Sequence, residues 1–431
     1  MKTIMHKPVR IIDLFAGMGG IRKGLELALA ERGLQSVCVF TSEIKPAAIK
    51  ILRQNHPEDE IRGDITTVLT SDIPDFDILC AGFPCQAFSY AGKRLGFADT
   101  RGTLFFEVER ILREKQPAGF ILENVEGLLT HDHGNTLATM LSRLNALGYK
   151  VAYNVLNSRY FGVAQERKRI YIVGNRNEKA DLVAFKPQKA VLGDILETGK
   201  PVSDTPFVRN LLAKFSVEQL YGKAIKDKRG GENNIHSWDL ETKGPTTVEE
   251  RALLNVMLTE RRKKKWAEQY GIAWMDGMTL TEEMIRTFCD MPNLHETLDG
   301  LVRKGYLAYE HPKRQVREIS ENGTPVLRRE QDTSLPKGYN IVAGKLSFEI
   351  AKILSPKELA PTLVAMDMQK LYVVDGKGLR RLTLREGLRL FGYPEDFKFD
   401  ISEKEGYDLL GNTVVVPVIK AVAGKLLDKI L

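Results

Sequence analysis

The sequence predicts an α/β fold with a mostly parallel sheet, joined to a smaller and less regular second domain. Three observations carry that expectation. Short apolar runs alternate with amphipathic stretches over the first 175 residues. The runs lack the polar alternation of a half-exposed strand, as expected of strands covered on both faces. From about residue 190 to 355 the alternation stops, and Gly230-Gly231, Asn233-Asn234 and clusters of Pro and Lys break the pattern.

The elements follow in order. "VRIIDLF", "VCVFTS", "FDILCAG", "AGFILEN", "YKVAYNVL" and "RIYIVGN" read as strands. "IRKGLELALAERG" and "GTLFFEVERILREKQ" read as helices between them. In the irregular region, "LTEEMIRTF" precedes "PNLHETLDGLVRKGYLAYE". There Asn293 and Glu296 have the spacing of a capping box, Leu294, Leu298 and Leu301 share one helix face, and Gly305 ends the helix. Tyr306 to Tyr309 reads as a strand. A helix-turn-helix or winged-helix element over 279–315 and a plain helical hairpin both fit this pattern. "RRLTLREGLRLFGYPEDFKF" is helical before it turns at Gly392-Tyr393-Pro394, and Leu426, Leu427 and Ile430 suit a final docked helix.

A chain of 431 residues can bury a sizeable core and form two domains. Its 43% hydrophobic and 28% charged content is that of an ordinary globular protein. The sequence shows no run of the roughly 20 apolar residues that span a bilayer, and no signal-peptide pattern. The expected location is therefore cytoplasmic, with no membrane partner. The four cysteines, Cys38, Cys80, Cys85 and Cys289, are too few and scattered for a disulfide framework or a zinc site, so no metal is expected. Cys38 and Cys80 sit in apolar runs and are expected in the core, with Cys289 also packing.

A net charge of +7 permits a polyanionic partner. "ERRKKKW", "HPKRQVR" and "VLRRE" all fall in the second half of the chain. Any single run is as readily a solvated helix face, but their clustering favours nucleic acid.

Chemistry concentrates where strands end. "DLFAGMGG", Asp13 to Gly20, follows the first strand and opens a helix, so its backbone can approach a ligand. Arg22 stands where a dinucleotide fingerprint has its last glycine. Glu43, ending "TSE", is placed to bind ribose hydroxyls, and Asp64 with Ile65 in "GDI" falls at a similar level. Together they indicate an adenosine-containing ligand. In "GFPCQAFS", Pro84 fixes the backbone beside Cys85, a thiol just past a strand end. A thiolate there would be a nucleophile. Glu123 in "LENV" and the pair Arg167 and Arg169 in "QERKR" converge on the same sheet edge, the two arginines sharing one face of an extended segment.

In this order and spacing, "DLFAGMGG", "TSE", "GDI", "GFPCQAFS", "ENV", "QERKR", "RLTLREGLRLFGYP" and "GNTVVVPV" resemble the DNA (cytosine-5)-methyltransferases, particularly the bacterial restriction–modification type. The resemblance covers residues 9 to 175 and roughly 358 to 425. It implies a Rossmann-like S-adenosylmethionine-dependent methyltransferase domain over 1–190, completed by 395–431. Residues 191–394 would form the target-recognition domain and hinge.

By similarity, Cys85 attacks carbon 6 of a flipped cytosine, Glu123 acts at ring nitrogen 3, and Arg167 and Arg169 orient the base. Phe15, Gly17, Gly19, Glu43, Asp64, Ile65, Pro84, Leu104, Asn412 and Val414 would surround S-adenosylmethionine. Ile44 joins them where many relatives carry an aromatic ring, and Thr413 stands where serine is commoner. Gln86 and Ser89 would contact double-stranded DNA. A monomer, and a restriction endonuclease acting on the same site, are the implied arrangement. An RNA cytosine methyltransferase with the same residues, and a DNA-binding regulator without catalysis, remain as alternatives. No Asp-Pro-Pro-Tyr-like motif supports transfer to an exocyclic nitrogen.

Overall fold

The computed structural model describes residues 7–83, 104–227, 231, 233–319, 325–342, 348–365 and 367–431. Pro84, Cys85, Gln86 and Ser89 lie outside the described residues. The chain divides into two compact units. The first runs to Lys200 and takes in Leu354–Gln369 and Arg381–Leu431, and the second holds Pro201–Ile353 and Lys370–Arg380.

The first unit opens with β1 (Val9–Leu14), α1 (Gly20–Ala30), β2 (Ser36–Ser42), α2 (Pro46–Asn55), β3 (Ile61–Arg62) and β4 (Ile78–Ala81). It continues with α3 (Leu104–Lys115), β5 (Gly119–Val125), α4 (Asn135–Ala146), β6 (Lys150–Asn157) and β7 (Lys168–Asn175). The strands form one seven-stranded sheet in the order β3-β2-β1-β4-β5-β7-β6. β1 to β5 are parallel, while β7 runs antiparallel to both neighbours. The sheet is thus mostly parallel, as the sequence pattern predicts. All six expected strands are present; β3, two residues long, is too short to leave a periodic signal.

Alternate residues on the strands sort to opposite faces. Ile12, Leu14, Leu79, Phe120, Leu122 and Ile172 join Val108, Ile111 and Leu112 of α3 and Leu137, Met140 and Leu144 of α4 in one core. At 2–5 kcal/mol for a typical buried leucine cut to alanine, few of these positions tolerate truncation.

The second unit contains α5 (Pro206–Lys214), α6 (Val217–Leu220), β8 (Ala224–Ile225), β9 (Asn234–Ile235), α7 (Val248–Glu260), α8 (Lys265–Tyr270), α9 (Glu282–Arg286) and α10 (Leu294–Arg303). There follow β10 (Leu307–Glu310), β11 (Lys313–Ile319), β12 (Pro325–Gln331), β13 (Gly338–Ile341), β14 (Lys352–Ile353), β15 (Leu371–Asp375) and β16 (Gly378–Arg381). Leu294, Leu298 and Leu301 are fully buried, with Trp238, Leu254 and Ile285 in the same helical core. Gly305, at φ 81°, leads out of α10. The expected capping box does not form: Asn293 has φ −96° and ψ 31° and caps nothing with its side chain. A side-chain cap needs the extended backbone that Thr247 and Thr281 adopt at α7 and α9. β10 pairs antiparallel with β13, and β11 with β12.

The chain then returns to the first unit as α11 (Leu384–Leu390), α12 (Glu403–Asn412) and α13 (Val416–Ile430). Residues 354–369 and 381–394, expected in the recognition region, belong here instead. The reason is local bonding. Glu166 N donates to Ala360 O at 2.9 Å, and Ala360 N to Ala164 O at 2.8 Å. Gln165 Nε2 donates to Leu390 O at 3.0 Å, and Glu197 N to the fully buried Glu386 at 2.7 Å.

One helical stretch, Glu403–Ile430, passes for a membrane span by length and composition, though charges such as Asp408, Lys420 and Lys425 leave no unbroken run of about 20 apolar residues in it. The segment is two helices, broken at Thr413, and 67% of its apolar window is buried inside the protein.

Candidate active site

The strand order reverses beside β1, where connections leave toward β2 on one side and β4 on the other. Such a switch point leaves a crevice at the carboxyl ends of the strands. Here it is a cavity of 680 Å³, within the size range of small-molecule sites.

Its floor is the loop after β1. Phe15 adopts φ 54°, a left-handed conformation that costs a side-chain-bearing residue about 1–2 kcal/mol. Gly17 has φ 55°, and a Cβ there would project into open space, so this backbone leaves the cavity clear. Gly17 N donates to Glu43 Oε2 at 2.7 Å. Glu43 Oε1 accepts from Ile44 N and Lys45 N, each at 2.8 Å. One carboxylate therefore ties the glycine loop to the start of α2. Asp64 Oδ1 accepts from Thr66 N at 2.9 Å and orders the next loop.

Phe15, Gly17, Glu43, Ile44, Asp64, Ile65, Leu104 and Asn412 all line the cavity. Ile44 stands 70% exposed at its rim. Gly19 and Val414 are not among the lining residues. Val414 packs behind the wall, where a Cβ on Gly20 would come within 2.7 Å of it.

The sequence pattern did not single out Ser42, Lys45, Gly82 or Leu409 as cavity residues. Position at a strand's carboxyl end could have found Ser42 and Gly82. Nothing local could have found the ion pair of Lys45 with Asp408 of α12.

A second group of residues meets beside Gly82. Glu123 is 9% exposed near the end of β5, and a Cβ built on Gly82 would lie 3.8 Å from its Oε2. Burial raises the Glu123 pKa, while Arg169 and then Arg167 pull it down; the net direction is upward. Arg169 Nε lies 3.3 Å from Glu123 Oε1. The neighbouring Asn124 donates from Nδ2 to Phe83 O at 3.2 Å, fixing the last described residue before Pro84 and Cys85. The sequence pattern gave Asn124 no such part.

The two arginines have different surroundings. Arg167 is 4% exposed, and its terminal nitrogens donate to Leu363 O at 2.8 Å, Gly411 O at 3.3 Å and Thr413 O at 3.0 Å. Burial, with Arg169 nearby, brings its pKa down to about 10. Arg167→Ala strands three carbonyls, and at roughly 1.5–3 kcal/mol for each bond from a charged donor the expected loss is about 4.5 kcal/mol or more. Urea denaturation checks this; an unchanged midpoint would remove Arg167 from its clasping role.

The remaining cysteines are structural. Cys80 is fully buried and its thiol pKa is raised well above the usual value by burial. Cys38 is pushed up to about 11 by the same cause. Cys289 is half-buried.

Under the glycine loop, Asp13 is buried and its Oδ2 has no hydrogen-bond partner among the described residues. Desolvation raises its pKa well above 3.8, with Arg22 opposing. The folded protein then binds this proton more tightly than the unfolded chain does. Stability attributable to Asp13 is highest below about pH 3.8 and declines as pH rises toward the folded value. Asp13→Asn removes that decline. Melting temperature followed from pH 4 upward is expected to fall less in the variant, and parallel curves would contradict the assignment.

Arg22 forms ion pairs with Glu26 and Asp59 beneath α1, so it braces the loop where a dinucleotide site would have glycine.

Residues 9–428 match the family model described as C-5 cytosine-specific DNA methylase. The chain is 59% identical over 426 residues to the Type II methyltransferase M.NlaIV of Neisseria lactamica, covering 97% of this chain and 99% of that protein. It is 58% identical over 426 residues to the Type II methyltransferase M.NgoBV of Neisseria gonorrhoeae, with 97% and 99% covered. Among solved structures, the S. pombe Dnmt2 methyltransferase matches with a TM-score of 0.52 at 16% identity, over 98% of this chain and 99% of that one. That last likeness is one of fold. The chain belongs to the C-5 cytosine-specific DNA methylase family.

Proposed function

We propose that this methylase acts on one short sequence of duplex DNA through a covalent adduct between Cys85 and its target cytosine. The family's reaction places a methyl group on carbon 5 of cytosine in DNA, and S-adenosylmethionine supplies that methyl on its sulfonium. The observation that carries the finer reading is the meeting of Glu123 and Arg169 beside Gly82, next to the 680 Å³ cavity.

Carbon 5 of cytosine is a weak nucleophile. Bonding of the Cys85 sulfur to carbon 6 moves electron density toward carbon 5 and nitrogen 3. Protonated Glu123 donates to nitrogen 3 and neutralises the charge there. Its raised pKa suits this, because burial holds the proton on. Carbon 5 would then take the methyl group as its bond to the sulfonium breaks, the electron pair staying on sulfur and S-adenosylhomocysteine leaving. Loss of the carbon 5 proton to a base expels the Cys85 thiolate, and nitrogen 3 returns its proton to Glu123.

Arg169 faces the base and the Glu123 carboxyl. Arg167, committed to carbonyls of the returning chain, is a positioning residue for that strand end. Glu43 binds the ribose, Asp64 and Ile65 the adenine side, and Phe15, Gly17, Leu104 and Asn412 complete the cofactor wall. Pro84 stiffens the turn beside Cys85, and Gln86 and Ser89 contact DNA. The target base leaves the duplex to reach these groups, at a cost of a few kcal/mol.

The second unit serves as the target-recognition domain. The relatives named Type II methyltransferases support assignment to a restriction–modification system, with a cognate endonuclease as counterpart and the cytoplasm as place of action. The enzyme acts as a monomer. Bisulfite sequencing of DNA treated with purified protein and S-adenosylmethionine tests the reading. Conversion-resistant cytosines at a single sequence context are expected. Methylation of tRNA with none of duplex DNA would overturn it.

A further inference from the structure

The second unit carries cations in several places, and most are occupied. In the run 260–266, Arg261 is buried and donates to Asn340 and Ile341, Arg262 pairs with Asp276, Lys263 with Glu260, and Lys265 lies over the Trp266 ring. Arg261 ties that run to β13, and Arg262, Lys263 and Lys265 already have local partners. The ribbon of β11 and β12 is different. It forms a two-stranded sheet of its own, seven residues on each side, with every described side chain of β12 exposed.

Its register separates charge by face. Directly opposed residues share a side: Lys313 with Gln331, Gln315 with Arg329, Arg317 with Leu327. This face has cations and amides and no acid. Both acids of the ribbon, Glu318 and Glu330, lie on the other face, where Glu318 pairs with Arg328 at 2.9 Å. At the root of the acid-free face Lys313 and Gln331 are tied to Glu310. Beyond the root, Gln315, Arg317 and Arg329 make no ion pair among the described residues. Ile319 and Leu327, 79% and 59% exposed, continue this face outward.

We infer that the Gln315–Arg317–Arg329 face of this ribbon enters the major groove of the DNA and reads bases there. A two-stranded ribbon fits a groove about 12 Å wide, and seven residues at about 3.4 Å each reach across it. Arg is the side chain that pairs bidentately with guanine, Gln with adenine, and exposed apolar side chains meet thymine methyl groups. The ribbon's own acids lie on the other face, and the two carboxylates beside Arg329 and Lys313, Asp276 and Glu310, are neutralised by Arg262 and Lys313. The inference rests on the second unit being the target-recognition domain, and assigns that task to one element within it.

The test uses the full-length enzyme and duplexes carrying the sequence it methylates or a scrambled one. The triple variant Gln315→Ala, Arg317→Ala, Arg329→Ala is expected to lose roughly 10- to 100-fold of the preference for the methylated sequence. S-adenosylmethionine affinity and melting temperature stay as in the wild type. Arg317→Lys with Arg329→Lys keeps the charge and the salt dependence of binding but still relaxes the preference, because lysine lacks the bidentate fork. Full preference retained in the triple variant overturns the inference. So does full preference retained in the lysine variant, which would reduce the ribbon to phosphate contacts. Arg314→Ala with Arg328→Ala, on the opposite face, leaves the preference intact; a larger loss there than in the triple variant also overturns it. A wild-type enzyme that methylates cytosine without sequence preference would instead overturn the recognition-domain reading itself.

Discussion

Cys85→Ala is expected to lower methyl transfer by roughly 10⁴-fold or more, the scale on which removal of a nucleophile acts. S-adenosylmethionine affinity is expected to change little, since Phe15, Glu43, Asp64 and Leu104 already line the cavity. Incorporation of labelled methyl groups into duplex DNA, alongside calorimetric titration of the cofactor, measures both. Substantial turnover in the variant would dismiss Cys85 as nucleophile. Cys80 cannot take its place: it is fully buried in β4, and burial keeps its thiol protonated.

Glu123→Gln should reduce the rate by about 10²–10⁴-fold, the usual range for a positioned acid. The sign of the pH effect follows from the burial that raises the Glu123 pKa. The proton needed at nitrogen 3 is present below that pKa and lost above it. Activity that depends on it therefore falls as pH rises past the folded value. Glutamine has no proton to lose, so the variant's residual single-turnover rate lacks that declining limb. A variant profile that keeps the same decline would place the titrating group elsewhere.

Much of this arrangement is legible in the amino-acid order because the elements involved are local. A run such as Ile78–Ala81 must be buried, and the residues after it must lie at a strand end. That logic brought Glu43, Asp64 and Glu123 to one sheet edge. It also treated Arg167 and Arg169 as equivalents, since both sit on one face of an extended segment. What distinguishes them is tertiary: the carbonyls of Leu363, Gly411 and Thr413, some 200 or more positions further on. Periodicity carries no information about such partners. The same limit explains why 354–369 was expected with the recognition region: its irregular backbone is held by the turn around Gln165. The cationic run at 260–266 shows the converse. Composition pointed outward, and Lys263, Lys264 and Lys265 are exposed, but Arg261 is buried and Arg262 and Lys263 are engaged in ion pairs.

The clasp made by Arg167 has a consequence for biosynthesis. Translation proceeds from the N-terminus, so the strand leading from Arg167 emerges long before its three acceptor carbonyls exist. The same holds for α1, which packs against α13 at the far end of the chain. While the intervening 153 residues of Pro201–Ile353 are being made, the first unit has a sheet with one flank uncovered and an arginine without its acceptors. Contacts of such long sequence separation close late and slowly. The nascent methylase thus acquires its finished cofactor wall, which needs Leu409, Asn412 and Thr413, only as synthesis ends. Arrest of translation before residue 409 is expected to yield chains that cannot hold S-adenosylmethionine, however well their sheet has formed.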